Sequence, residues 1–298
     1  MNLIGLDLTS PGALKMLSDT IKADIDAYCV NRYDEGQRSH LGASQIGNPC
    51  SRALWYHFRW IHHVTHSGRQ YRLFQRGHFE EPRFKSYLEG IGCNVTEFDE
   101  QNINEVDKGK RQIRISGCQG HFGGSVDAVI KLPERYGMSN VLFLGEYKTS
   151  GTGRKFDDLV KQGCQIKKHQ HFAQQAIYGY KLGIEYGIYI VVNKDNDDLY
   201  IEVIKLDWEL GKELEQKAEK IIFANEPPER IAMSKDYFDC KWCDYKEICW
   251  GDNKNVDKNC RSCVNCKPVD EACWECSKFG IVPKEFVKTG CNVWESII

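Results

Sequence analysis

Two apolar runs, each interrupted or ended by charge, constrain this chain most. Gly124-Ser125-Val126-Asp127-Ala128-Val129-Ile130 sets one carboxylate in an apolar strand-like run. Leu142-Phe143-Leu144 leads directly into Glu146-Tyr147-Lys148. Alternate side chains of a strand share a face. Glu146 and Lys148 therefore point one way and Tyr147 the other, and pairing of the two strands sets Asp127 beside them. An acid-x-Lys pair taken alone is equally a surface hairpin with a cross-strand salt bridge. Charges left unpaired against apolar strands are costly, however. A bound hard cation gives two carboxylates and an ammonium a reason to be there, which is the chemistry of metal-assisted phosphodiester cleavage.

The 298 residues suffice for one large domain, or a domain with an appendage. The formal net charge of −2 supplies no global basic field for nucleic acid, but a local basic groove is sufficient. Basic residues do cluster: Arg69, Arg72, Arg76 and Arg83 in one stretch, Arg154, Lys155, Lys161, Lys167 and Lys168 in another. No secretory leader and no apolar run of membrane-spanning length is visible, so a cytoplasmic protein without membrane association is expected. In that setting the fourteen cysteines serve metal rather than a disulfide framework.

Residues 1–40 read as a helical lead-in, with Leu14, Leu17, Ile21 and Ile25 on one helix face. Ser44 is a candidate cap for a helix carrying Ala53, Leu54, Tyr56 and Phe58. A second amphipathic helix includes Leu73, Phe74, Phe79, Phe84 and Leu88, and stops at Gly90 and Gly92. Strand-like runs follow at 93–98, 112–116, 126–132 and 141–148. A helix covers 167–182, a hairpin turns around Asp195-Asn196-Asp197, and a charged helix spans 208–224. Pro227-Pro228 breaks the pattern, and a cysteine-rich, irregular segment follows. The order implies an α/β fold, a mixed central sheet flanked by helices, with a small cysteine-rich metal-binding C-terminal extension.

Eight cysteines crowd between Cys240 and Cys276 at metal-ligand spacings. Cys240-x2-Cys243-x5-Cys249 suits three ligands of a tetrahedral metal or an iron–sulfur cluster, with the fourth from elsewhere. Cys260-x2-Cys263-x2-Cys266 and Cys273-x2-Cys276 read as paired knuckles of a Zn²⁺ site. Cys260, Cys263, Cys273 and Cys276 make two regular knuckles. Replacing Cys260 by Cys266 does equally well, and Cys291 is a further candidate. Cys29, Cys93, Cys118 and Cys164 are scattered and structural. Trp274 and Phe279 pack on this extension or on DNA.

Asp127 followed by Glu146-Tyr147-Lys148 resembles the signature of the PD-(D/E)XK nuclease superfamily, in its RecB-like and lambda-exonuclease-like branches. Ser125-Val126 stands where that signature often has a proline. Gln174-Gln175-Ala176-Ile177-Tyr178 resembles the Gln-x-x-x-Tyr element that follows the lysine in the RecB-like branch, with Gln174 and Tyr178 on one helix face. The resemblance implies a restriction-endonuclease-like core over residues 41–250. It implies Mg²⁺ or Mn²⁺ held by Asp127, Glu146 and the Tyr147 carbonyl, with Lys148 acting on the reacting groups. An upstream helix then supplies one more ligand, Glu81 (four residues after Gly77) or His78, while Glu80 is solvated. His121 reads as a supporting or DNA-contacting residue, or as a plain hairpin histidine.

Iron–sulfur nucleases of the RecB-like branch place one cysteine before the core and three after it. Cys50, in Asn48-Pro49-Cys50-Ser51-Arg52, with Cys240, Cys243 and Cys249 is similar to that layout. A 4Fe-4S cluster stapling both ends of the domain is implied, with zinc as the competing occupant. Residues 251–298 form a zinc-ribbon-like extension. The family reading implies a DNA exonuclease acting at ends in phage or prokaryotic recombination or repair, in the host cytoplasm if phage-encoded. A strand-annealing recombinase or a helicase is the implied partner. A structure-selective or sequence-specific endonuclease, and a non-catalytic nucleic-acid-binding module, are the rivals.

Overall fold

The computed structural model describes residues 11–99, 112–151, 153–252 and 254–298. The first ten residues of the expected lead-in lie outside that set. Two compact units divide the chain: one from the described part of Met1–Gly36 with Val64–Phe79, the other from Gln37–His63 with Glu80–Ile298. In chain order the elements are α1 (Pro11–Tyr33), β1 (Leu41–Gly42), α2 (Ser51–Phe58), α3 (Gly68–Gly90), β2 (Asn94–Thr96) and β3 (Arg114–Gly117). There follow β4 (Phe122–Ser125), β5 (Ala128–Lys131), β6 (Leu142–Ser150), α4 (Arg154–Lys167), α5 (His169–Leu182), β7 (Tyr186–Asn193) and β8 (Leu199–Lys205). The chain closes with α6 (Trp208–Ile222), α7 (Phe238–Lys241), α8 (Lys246–Trp250), β9 (Cys266–Val269), β10 (Cys273–Cys276) and β11 (Gly280–Val282). No helix among the described residues is long and apolar enough to cross a membrane.

In the first unit α1 meets the opening turns of α3. Arg72 is paired with Asp26 at 2.6 Å. A Cβ at Gly68 would stand 2.4 Å from the Asp26 carbonyl oxygen, so only glycine allows this crossing. The apolar row on one face of α1 is not a buried one. Leu14, Ile21 and Ile25 are each about half exposed, while Ala13 and Cys29 are the buried residues of α1.

The second unit is built on a five-stranded sheet of order β2-β5-β6-β7-β8. β2, β5 and β6 are antiparallel neighbours, β6 and β7 are parallel, and β8 returns antiparallel. A parallel pair needs a crossover, and α4 with α5 provides it. One face of the sheet buries Ala128, Ile130, Phe143, Tyr147, Ile188, Ile190 and Val192 with Phe84 and Leu88 of α3. The other face carries Leu144 and Glu146. A second sheet, β1-β4-β3, and a third, β11-β10-β9, complete the unit. The expected mixed α/β architecture, with helices flanking the sheet, is present, and the cysteine-rich C-terminal region, expected to be irregular, carries β9, β10 and β11.

Candidate active site

Asp127 does not lie within a continuous strand. The run 124–130 is broken in two: β4 pairs with β1 and β3, β5 pairs with β2 and β6, and Asp127 occupies the bend between them. Helix α5 explains the break. The Tyr178 hydroxyl donates to the Ser125 carbonyl oxygen at 2.9 Å. It lies where a side chain on residue 124 would be, since a Cβ at Gly124 would stand 2.5 Å from it. Gln174, one turn earlier on α5 and buried, hydrogen-bonds the same tyrosine. The Gln-x-x-x-Tyr element thus packs on the segment that delivers Asp127.

The bend still brings the expected groups together. Ala128 is paired with Gly145, so Asp127 falls beside Glu146. The Tyr147 backbone N–H donates to Asp127 Oδ2 at 2.8 Å. Glu146 is fully buried, and Lys148 Nζ donates to its Oε1. Its Oε2 is buried with no hydrogen-bond partner. Burial pushes the Glu146 carboxyl up to about 8, helped by Asp127 and Glu81 and opposed by Lys148. Burial acts against the charge on Lys148, but Glu146, Asp127 and Glu81 outweigh it and hold the ammonium protonated.

Glu81, on α3, lies in the same unit and acts electrostatically on both Glu146 and Lys148. His78 is exposed and belongs to the other unit. Glu80, expected in solvent, is instead buried and paired with Arg83 at 2.7 Å. Its position one residue before Glu81 turns it by about 100° around the helix, toward the packed side.

Cys50 is itself the N-cap residue of α2, so Ser44 is not the cap. Cys50, Cys240, Cys243 and Cys249 line one cavity, with Arg52, Arg230 and Lys246 around them. Arg52 donates to the Pro228 carbonyl oxygen at 2.9 Å, and Arg230 donates to that of Cys249 at 2.6 Å. Lys217 of α6 holds the approach to Cys50 by donating to the carbonyls of Ile46 and Asn48. Chain ends far apart in sequence are therefore joined around the four thiols.

A second cavity is lined by Cys260, Cys263, Cys266, Cys276 and Cys291. Cys273 is not among its lining residues, and its Sγ faces the Glu271 carbonyl oxygen at 3.6 Å. Trp274 is buried against protein, and Phe279 is exposed.

Buried cationic side chains went unnoticed in the sequence. Arg59 and Arg261 are both almost fully buried. Arg261 lies 4.3–4.7 Å from the ring centres of Phe58, Trp60 and Trp274, and Arg59 lies 5.2 Å from Trp274. Arg261 donates to the carbonyls of Arg38 and Ser39; Arg59 donates to those of Cys266 and Ala224. His121 is fully buried, with Nε2 at 2.8 Å from the Val269 carbonyl oxygen and its ring edge-on to Phe58 and Trp274. It joins β4 to the C-terminal strands and cannot reach DNA. The tryptophans near these arginines were the available signal.

Among the described residues no three His, Cys, Asp or Glu side chains already stand in position to hold a metal ion. The donor chemistry nevertheless fits a hard cation at the carboxylates. Glu146 Oε2 is an orphaned buried acceptor, and Asp127 and Glu81 add oxygen donors near it. The tetrathiol cavity fits a soft metal or an iron–sulfur cluster.

The sequence matches no protein-family model and no curated relative. Among solved structures the chain is similar to SSO0001, with a TM-score of 0.45, 15% identity, and coverage of 78% of this chain and 96% of that one. It is also similar to an alkaline exonuclease, LHK-Exo, from Laribacter hongkongensis, with a TM-score of 0.36, 15% identity, and coverage of 67% and 90%. The same exonuclease in complex with dAMP gives a TM-score of 0.33 at 15% identity, covering 61% of this chain and 86% of that one.

Proposed function

We propose that this chain is a divalent-cation-dependent deoxyribonuclease that hydrolyses DNA phosphodiester bonds from ends. The observation that carries the reading is Glu146: a fully buried carboxylate with one oxygen unpaired, beside Asp127 and paired with Lys148. An apolar sheet has no structural use for that group, because burying an unpaired acceptor is costly. Asp127, Glu146 and Glu81 would hold Mg²⁺ or Mn²⁺. When bound, such a cation neutralises charge on a phosphate and lowers the pKa of water. Lys148 carries a fixed positive charge to the same place and stabilises charge that develops on the phosphate oxygens. Tyr147 holds Asp127 in position through its backbone N–H. Tyr178 and Gln174 hold the preceding bend.

Cys50, Cys240, Cys243 and Cys249 would carry a 4Fe-4S cluster with a structural role. What supports it is the shared cavity, rimmed by Arg52, Arg230 and Lys246, whose charges complement an anionic tetrathiolate centre. Zinc at this site would give a colourless protein with the same staple.

The test is digestion of end-labelled linear DNA, single- and double-stranded, beside covalently closed circular DNA, in Mg²⁺ or Mn²⁺. Release of label from linear DNA with the circle intact is the expected result, and chelation stops it. Cutting of the closed circle would make the enzyme an endonuclease. No hydrolysis of any substrate would overturn the reading.

A further inference from the structure

The C-terminal segment holds a cluster of thiols that the proposed hydrolysis does not use. We infer that Cys260, Cys263, Cys266, Cys276 and Cys291 form one metal centre that takes a single zinc ion on four thiolates, with Cys273 outside it. The regular two-knuckle pattern in the sequence points instead to Cys273 with Cys276.

Local backbone geometry separates the two assignments. The Cys263 N–H donates to the Cys260 carbonyl at 3.2 Å, and the Cys266 N–H donates to the Cys263 carbonyl at 3.1 Å. Two successive tight turns therefore bring three sulfurs back to one side. Cys266 starts β9, where it is paired directly with Cys276 of β10. Directly opposed residues of an antiparallel pair share a face. Cys273 is three residues before Cys276 on the same strand, and an odd offset puts it on the opposite face. Cys273 and Cys276 thus belong to a strand rather than to a knuckle.

Cys291 reaches the cluster from the last loop. Gly290 has φ +64°, and a Cβ there would lie 3.3 Å from the backbone of Asn259. Glycine is required for the loop to press against the residue before Cys260. The cavity is walled by Ile281, Val282, Phe286, Val293 and Trp294. Among the described residues no three His, Cys, Asp or Glu side chains already stand in position for one ion, so a zinc ion here requires the thiols to draw together. A donor set made only of sulfur suits a soft cation that takes thiolates tetrahedrally, which selects zinc over Mg²⁺ or Ca²⁺. Zinc also compensates for the small apolar core of so short a segment.

Native mass spectrometry of the full chain purified with zinc tests the assignment. Five donors serve four places, so a C276S/C291S double variant leaves three and should carry one zinc fewer than the parent. C273S should carry the parental number. Zinc lost from C273S, or retained in full by C276S/C291S, overturns the inference. Should the double variant not fold, cobalt(II) substitution decides. The thiolate-to-cobalt bands of C273S should match those of the parent, and weaker bands in C273S would show Cys273 to be a ligand.

Discussion

The Tyr178 hydroxyl donates to the Ser125 carbonyl oxygen across 2.9 Å, two residues before Asp127. Helix α5 thereby fixes the bend that turns a β-strand residue into a candidate metal ligand. Removing only the hydroxyl should leave the fold intact and loosen Asp127. A net hydrogen bond is worth about 1 kcal/mol, so Tyr178→Phe is expected to weaken Mn²⁺ binding and slow cleavage by about fivefold to tenfold. Calorimetric Mn²⁺ titration beside a far-ultraviolet spectrum checks this. An unchanged Mn²⁺ affinity would show that the bond does not position Asp127.

Glu146 should make stability, and the affinity for the proposed cation, depend on pH. Its carboxyl is raised to about 8 from the ordinary range by burial. A group whose folded pKa lies above its unfolded value contributes stability that is present at low pH and is lost as pH rises through the folded pKa. Without divalent cation, the Glu146 contribution should therefore decline between about pH 4.5 and about pH 8. Cation binding must displace that proton, so affinity should rise over the same window and level off above it. Thermal melts with and without Mn²⁺ across the window measure both trends. In Glu146→Gln the pH dependence of the Mn²⁺-induced shift should flatten.

Arg261 should be worth more than a surface arginine. It is buried among Phe58, Trp60 and Trp274 and satisfies the Arg38 and Ser39 carbonyls. Its Nε and Nη2 have no hydrogen-bond partner. Arg261→Lys keeps the charge but loses the planar stack and the two-carbonyl reach. A loss of about 1–3 kcal/mol is expected for a buried acceptor left unsatisfied, measured by urea unfolding of the full chain. Arg261→Lys at parental stability would show that the stack contributes little.

Cys50 should hold the two ends of the second unit together. Anaerobically purified parent protein is expected to be brown, with iron and sulfide in it, and Cys50→Ser to be pale and less stable. A colourless parent containing an additional equivalent of zinc would assign that metal to the four thiols instead.

Sequence pattern reached the strands and helices more readily than the bend. Apolar periodicity marked β5, β6, β7 and α5, because those elements bury one face against a shared core. The break at Asp127 depends on Tyr178, some fifty residues away, filling the space above Gly124. Nothing local to residues 124–130 announces that contact. The burial of Glu80 beside Glu81 was likewise invisible, since helix rotation alone decides which of two adjacent acids faces the packed side. Spacing located both cysteine groups. It could not tell which of Cys273 and Cys291 lines the C-terminal cavity, because strand register and the Gly290 loop decide that.

The exposure of the α1 apolar row was not legible for a different reason. Periodicity shows that Leu14, Ile21 and Ile25 share a face but not what covers it. The buried Arg59 and Arg261 were missed because composition favours exposed arginine, and only the facing aromatic rings reverse that expectation.

Single-turnover cleavage of end-labelled DNA by the parent and by Lys148→Ala, at matched DNA binding, tests the central claim most directly. Lys148 pairs with Glu146 and is proposed to supply charge at the reacting phosphate, so the variant should bind DNA as the parent does and lose at least about a hundredfold in rate. Cleavage by Lys148→Ala at the parental rate, in the same Mg²⁺ or Mn²⁺, would contradict the placement of hydrolysis at Asp127, Glu146 and Lys148.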